Sequence, residues 1–137
     1  MSLFKILDIA GSGMSAQTLR LNTTASNIAN AETVSSSTNA TYRARQPVFA
    51  ATLKELGEEN VGVGVEVKGI VESQAPLRKQ YQPGHPMADK DGYIYMPNVN
   101  MVEEMANMIS ASRSYQSNAE VAKASKQMLM RTLTLGE

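Results

Sequence analysis

The sequence predicts an α+β fold: long N- and C-terminal helices paired as an antiparallel coiled coil, with a small β-rich insert between them. Three observations carry this. Residues 100–135 contain neither Gly nor Pro and place apolar side chains at alternating steps of four and three. Residues 3–31 show the same stepping at the other end of the chain. Between them the period drops to two over Val61–Ile70, and Gly- and Pro-containing turns interrupt the chain. The expected division is residues 1–32 and 98–137 as the paired terminal helices, and residues 33–97 as a β-rich insert with an extended loop.

The N-terminal helix is expected over residues 3 to about 31. Leu3, Leu7, Ala10, Met14, Leu21 and Ile28 follow the four-three step, with Gln17 and Thr24 as polar interruptions. Phe4, Ile6, Ile9 and Leu19 lie beside or away from that line, so apolar surface covers more than one stripe. A helix wet on its far side does not look like this, and the reading adopted is that two faces meet two different chains. Gly11 and Gly13 weaken the helix by roughly 1 kcal/mol each relative to Ala and mark a bend or a close approach. Small residues and Asn fill Thr24–Thr33, which suits close helix approach and a capped end. Val34–Ala40 is small and polar, and reads as a loop.

The insert begins with an extended stretch from Tyr42 through Phe49. Val61–Ile70 then alternates strictly, as a strand with one apolar face does. Gln82-Pro83-Gly84-His85-Pro86 is a turn cluster. Asp89-Lys90-Asp91-Gly92 before Tyr93-Ile94-Tyr95-Met96 predicts a tight hairpin whose Gly takes positive φ.

The C-terminal helix is the dominant element. Its seam is expected to run through Met101, Met105, Met108, Ser112, Tyr115, Ala119, Ala122, Leu129 and Leu133. Asn100 and Glu103 form a capping-box pattern, Glu103 and Glu104 complement the dipole at the start, and Gly136 is placed to end the helix. About 34 helical residues span roughly 50 Å. A compact globule of this chain length has a diameter of roughly 35–40 Å. The helix outruns any core the chain alone can wrap around it.

Composition narrows the function. The 137 residues carry 13 basic and 13 acidic side chains, so nothing calls for nucleic acid or an anionic membrane as partner. No Cys is present, which excludes disulfides and thiol chemistry. Lys5 and Asp8 interrupt the apolar run a secretory signal needs, and no stretch approaches the ~20 apolar residues of a membrane span. Nine Met is a high count, and Met suits contacts that repack between settings.

Chemistry is hard to find. His85, the one histidine, sits between Gly84 and Pro86 and reads as a turn residue rather than a base. Asp89–Gly92 loosely echoes a calcium loop, but Tyr93, Tyr95 and Pro97 occupy the later ligand positions. The glycines of Val61–Gly69 lack the Lys-Ser/Thr pair and following helix of a phosphate loop. Glu58–Glu59 reads as a solvated pair. Neither a catalytic site, a metal site nor a cofactor is expected.

Ala25-Ser26-Asn27-Ile28-Ala29-Asn30-Ala31-Glu32-Thr33, followed by Tyr42-Arg43, resembles the N-terminal signature of the flagellar basal-body rod and hook family. Pro97–Met105 through Ser110–Gln116 resembles its C-terminal signature. Glu72–Pro76, Pro83–Pro86 and the ending Lys126–Gly136 resemble the short proximal-rod members, and the likeness covers essentially the whole chain. It implies a non-enzymatic subunit of the axial rod that crosses the periplasm, exported without a cleaved signal peptide. The terminal helices would form the inner axial core. Partners would be other copies of the chain, other rod proteins, and the basal-body ring and export gate proteins, without nucleic acid or direct membrane insertion. Candidate subunit-interface residues are Leu3, Phe4, Ile6, Leu7, Ile9, Met14, Leu21, Asn27, Ile28 and Asn30, with Met101, Met105, Met108, Ile109, Tyr115, Met128, Leu129 and Leu133. Phe49 and Leu53 match the Phe-x-x-x-apolar pattern of early export substrates in this family. The rival from another class is a soluble helical-hairpin adaptor or export chaperone, folded and monodisperse on its own.

Overall fold

The computed structural model describes residues 3–53 and 62–135; Gly136 and the Glu58–Glu59 pair lie outside them. In chain order the elements are α1 (Leu3–Asn30), β1 (Arg45–Leu53), β2 (Val63–Glu72), β3 (Arg78–Tyr81), β4 (Tyr93–Met96) and α2 (Met101–Thr134). The α+β architecture is as predicted: two long helices at the ends, with two small antiparallel sheets between them.

The helices run antiparallel. Ala31 packs near Met101, Arg20 donates to Asn107, and Gly13 lies against Asn118, so positions rising along α1 meet positions falling along α2. Asn100 caps α2, its side chain accepting from the N–H groups of Val102 and Glu103, which satisfies two donors the helix cannot satisfy itself.

The packed face of α2 is offset from the expected seam. Glu104, Ala111 and Ser125 are the buried residues of α2, whereas Met105, Tyr115 and Leu133 are exposed. Met101, Met108, Ala119, Ala122 and Leu129 of the expected line are half-buried. Side-chain size explains the shift. Ala10 and Thr24 of α1 are buried along with Ala111 and Ser125, and small residues on both sides let the axes approach more closely than Met and Tyr permit. Gly13 belongs to this close approach, since a Cβ there would fall 2.8 Å from Asn118 Nδ2. Ser125 turns its hydroxyl back to the Val121 carbonyl, so its burial leaves that group satisfied.

The second face of α1 is met largely by its own chain. β1 and β2 form a hairpin that packs along α1, and Ser12 Oγ accepts a hydrogen bond from the Val65 N–H. Phe4 is the large apolar residue of α1 that stays exposed among those described. The surplus apolar surface expected on α1 is therefore found on α2 and on the hairpin. The β1–β2 register runs from Arg45↔Glu72 to Leu53↔Val63, and a bulge at Val48/Phe49 leaves Lys68 without an opposite residue. The alternation of Val63–Val67 does build a strand, but Val63, Val65, Ile70 and Val71 all remain exposed.

In the second sheet the tight hairpin is corrected. β3 and β4 pair from Arg78↔Met96 to Tyr81↔Tyr93, and residues 82–92 separate them, so the Asp89–Gly92 turn is only the last part of a longer connection. Gly92 does take positive φ, +80°. Asp89 organises the turn: one carboxylate oxygen accepts from the N–H groups of Asp91 and Tyr93, the other from the Tyr95 hydroxyl. The bond from the Tyr93 N–H is the main reason the Asp89 pKa is held below the ordinary carboxylate range. A depressed folded-state pKa means this contribution is complete at neutral pH and is lost only as the pH falls through that lowered value. Gly92→Val should lower stability by about 2 kcal/mol or more, from left-handed backbone strain and crowding. The added Cβ alone would stand 2.9 Å from Tyr81 Cε2. Thermal unfolding followed by circular dichroism would measure the loss.

Ala31, Ala44 and Val99 form a buried cluster, with Tyr42 and Met101 packed on it, where the helix pair meets the insert. No helix among the described residues is long and apolar enough to cross a membrane.

Candidate assembly interface

The end of α1 is tied to the insert by one side chain. Asn27 is 1 % exposed. Its Nδ2 donates to the Arg45 carbonyl at 2.8 Å, and its Oδ1 accepts from the Arg45 N–H at 2.9 Å and from the Tyr42 hydroxyl at 2.8 Å. The amide thus pairs with Arg45 as a neighbouring strand would. With the Tyr42 proton directed to Asn27, the 3.2 Å contact between Tyr42 and Ser26 is a donation by Ser26. Asn27 was expected at a subunit interface, but its polar groups are spent inside the chain, so its place is in the scaffold behind any such surface.

Two further ties hold the other side. Asn98 Oδ1 accepts from the Ala44 N–H, and its Nδ2 donates to the carbonyls of Ser73 and Ala75. Arg78 donates from Nε to the Pro97 carbonyl and from Nη2 to the Ala31 carbonyl just past the end of α1, where the helix dipole favours a cation. Asn27 and Asn98 both lie inside the quoted signature segments. Their role as hydrogen-bond hubs was not legible there, and nothing in the sequence singled out Arg78.

Behind this junction the molecule shows a mismatch. Among the described residues the largest fully buried side chains are Asn27, Pro97 and Ser125, and the buried apolar residues are mostly Ala. Large apolar residues stand outside. On α2, Val102, Met105 and Ile109 form one strip at steps of three and four, Ile109 being 58 % exposed. Tyr115, Val121, Met128, Met130, Leu133 and Leu135 continue the exposure along the helix. On the hairpin Phe49, Val63, Val65 and Ile70 lie on one face by register. Contiguous exposed apolar surface of this kind marks an interaction site rather than ordinary scatter.

Of the expected interface residues, Phe4, Met105, Ile109, Tyr115, Met128 and Leu133 are exposed and available to a partner. Leu3, Ile6, Leu7, Ile9, Met14, Leu21, Ile28, Asn30, Met101, Met108 and Leu129 are half-buried between the chain's own elements and solvent. Asn30 Nδ2 donates to the Ser26 carbonyl. Phe49 and Leu53 are both in β1. The hairpin residues Val63, Val65 and Ile70 were not among the expected interface positions, although the strict alternation of β2 was the signal that could have placed them there.

His85 sits in the connection between β3 and β4, its Nδ1 accepting from the Met87 N–H at 3.0 Å. It acts on the backbone locally. His85→Asn, which retains an acceptor, should leave function close to that of the parent chain, and a motility assay on cells carrying the variant would check it.

Comparison with known proteins adds to this geometry. Residues 7–35 match the family model described as "Flagella basal body rod protein", and residues 90–135 match "Flagellar basal body rod FlgEFG protein C-terminal". The chain is 49 % identical to the flagellar basal-body rod protein FlgC of Salmonella typhimurium, with 100 % of both chains covered. It is 50 % identical to FlgC of Yersinia enterocolitica over 100 % of both. Identity to FlgC of Borreliella burgdorferi is 36 % over 98 % of each. An Asn-tied pair of terminal helices with exposed Met- and Leu-rich flanks, and matches of this extent at both ends and across the whole length, place the chain in the FlgC family of flagellar basal-body rod proteins.

Proposed function

We propose that this chain is a structural subunit of the proximal rod of the bacterial flagellar basal body. It stacks helically through its terminal helices, with other copies of itself and with other rod proteins, into the torque-transmitting drive shaft. The observation that carries this is the mismatch just described: a buried set of Ala, Thr, Ser and Asn beside an exposed set of Met, Ile, Leu, Val and Phe. Each Leu, Ile or Met newly buried against a neighbour contributes roughly 1.5–3 kcal/mol. A handful per contact, repeated over several neighbours, outweighs the backbone ordering cost of roughly 1–2 kcal/mol per residue. An interface that repeats head to tail without closing builds a tube.

The division into a helical inner part, residues 1–32 and 98–137, and an outer insert, residues 33–97, belongs to this reading. The role is non-enzymatic. Placement in the periplasm, export without a cleaved signal peptide, and contacts with ring and export gate proteins complete it. Phe49 and Leu53 are held in β1 in the folded chain, so an export receptor would read them before folding.

The test is concentration. Dilute monomer should exchange amide hydrogens rapidly at both chain ends, and assembly at high concentration should protect them. A particle that stays monodisperse at every concentration, with both ends protected when dilute, would instead support the adaptor or chaperone reading.

A further inference from the structure

Sulfur is distributed unevenly over this molecule. The chain has nine Met, and none is among the buried residues described. Met14, Met96, Met101 and Met108 are half-buried, whereas Met87, Met105, Met128 and Met130 are exposed. The buried contact between the helices is made instead by Ala10, Ala16, Thr24, Ala111 and Ser125, which carry no sulfur. Three of the exposed sulfurs are on α2: Met105 shares its strip with Val102 and Ile109, and Met128 and Met130 stand with Leu133 and Leu135. Met87 lies on the insert, in the connection between β3 and β4.

The chain holds no Cys and no Trp, so a hydroperoxide meets thioether sulfur as its most readily oxidised group. With hydrogen peroxide the sulfur lone pair takes one peroxide oxygen and the O–O bond breaks. The hydroxide that leaves collects the proton of the transferred hydroxyl and departs as water. Sulfur gives up an electron pair and the peroxide takes it. A flexible apolar side chain thereby becomes a polar sulfoxide. Water hydrogen-bonds the new oxygen in the free chain. Against the apolar side chains of a neighbour nothing does, and burying it unpaired is costly.

We propose that Met105, Met128 and Met130 form a peroxide-sensitive modification site that governs assembly. Oxidised in the free chain, they bar it from joining other copies and leave its fold intact. The inference rests on the self-assembly reading and adds a condition under which assembly stops. The fold is spared because its buried helix contact lacks sulfur and its junction is held by the amides of Asn27 and Asn98 and the Arg78 guanidinium. Met101, packed on the Ala31–Ala44–Val99 cluster, should react later than the exposed sulfurs.

The test treats the dilute full-length chain with hydrogen peroxide, limited so that Met105, Met128 and Met130 are oxidised first. Peptide mass spectrometry locates each added oxygen. The melting midpoint should stay within about 2 °C of the untreated value. The concentration needed for assembly should rise by about tenfold or more. A markedly lower midpoint, or unchanged assembly with all three sulfurs oxidised, would overturn the proposal and leave self-assembly standing. A chain carrying Met105→Leu, Met128→Leu and Met130→Leu is compared only with itself. Whatever its starting value, its assembly concentration should not move on the same treatment, although Met87 gains its oxygen. A rise as large as that of the parent places the effect at another residue and overturns the site. A further measurement needs no substitution: peroxide added after assembly should oxidise the three α2 sulfurs several-fold more slowly than in the free chain, and equal rates would overturn the site. An untreated chain that stays monomeric at every concentration would overturn both readings.

Discussion

Asn27→Leu should lower the stability of the monomer by roughly 3 kcal/mol, enough to move its melting midpoint down by about 10 °C. The estimate follows from what the substitution strands. The Arg45 N–H, the Arg45 carbonyl and the Tyr42 hydroxyl all depend on the Asn27 amide. Leu keeps the branched shape of Asn with bulkier methyl ends, so no cavity opens and the loss is chiefly that of hydrogen bonds, each buried group left unpaired costing about 1–3 kcal/mol. Thermal unfolding followed by circular dichroism measures it. A shift of only a degree or two would mean that water replaces the amide and that the junction is wetter than its burial indicates. Because Asn27 couples the end of α1 to β1, the defect should also appear as rapid amide exchange at Arg45.

Ile109→Asp should do the reverse. Ile109 lies on the outer strip of α2 with Val102 and Met105, away from the small-residue face that packs on α1. A charge there meets only water in the monomer, and surface substitutions of this kind change stability by about 0.5 kcal/mol or less. In an assembly the same carboxylate would be buried among apolar side chains at a cost of several kcal/mol. Sedimentation should therefore find a parent-like monomer that no longer assembles, and cells carrying it should lose motility. Normal assembly would remove the outer α2 strip from the interface. Together the two variants separate folding from association, since one damages the scaffold and the other only its outer surface.

The long elements were legible because their signals are long. A Gly- and Pro-free stretch with four-three stepping leaves few alternatives to a helix, and Asn100 announced its start. The face of the helix was less legible. Met105 and Tyr115 are more hydrophobic than Ala111 and Ser125, so periodicity weighted by hydrophobicity drew part of the line off the packed face, while Met101, Met108, Ala119, Ala122 and Leu129 of that line are half-buried. What decided the packing was side-chain size, which the apolar pattern does not report. The same limit applies to α1, where surplus apolar stripes were assigned to other chains although β1 and β2 cover much of that surface. The turn at Gly92 was read correctly, but its place at the end of a long connection depended on the pairing of β3 with β4, a non-local fact. Of the expected interface positions, Met105, Met128 and Leu133 are exposed, whereas Met130 and Leu135, exposed as well, were not among them. The hubs at Asn98 and Arg78 were not anticipated, because a side chain that bonds distant carbonyls leaves no local signature.

The small-residue contact between the helices has a mechanical corollary. Ridges built from Ala, Gly and Ser are low, so the register of one helix on the other is set by a few polar contacts such as Arg20 to Asn107 and Asn118 against Gly13. At the Asn27–Arg78 end, side chains grip carbonyls on both sides. The side-chain grips on the end of α1 are thus concentrated at the junction, while Ser12, more than halfway back along the helix, is tied to the Val65 N–H. In an assembly built as proposed, these grips would hold the insert at one angle to the helix pair.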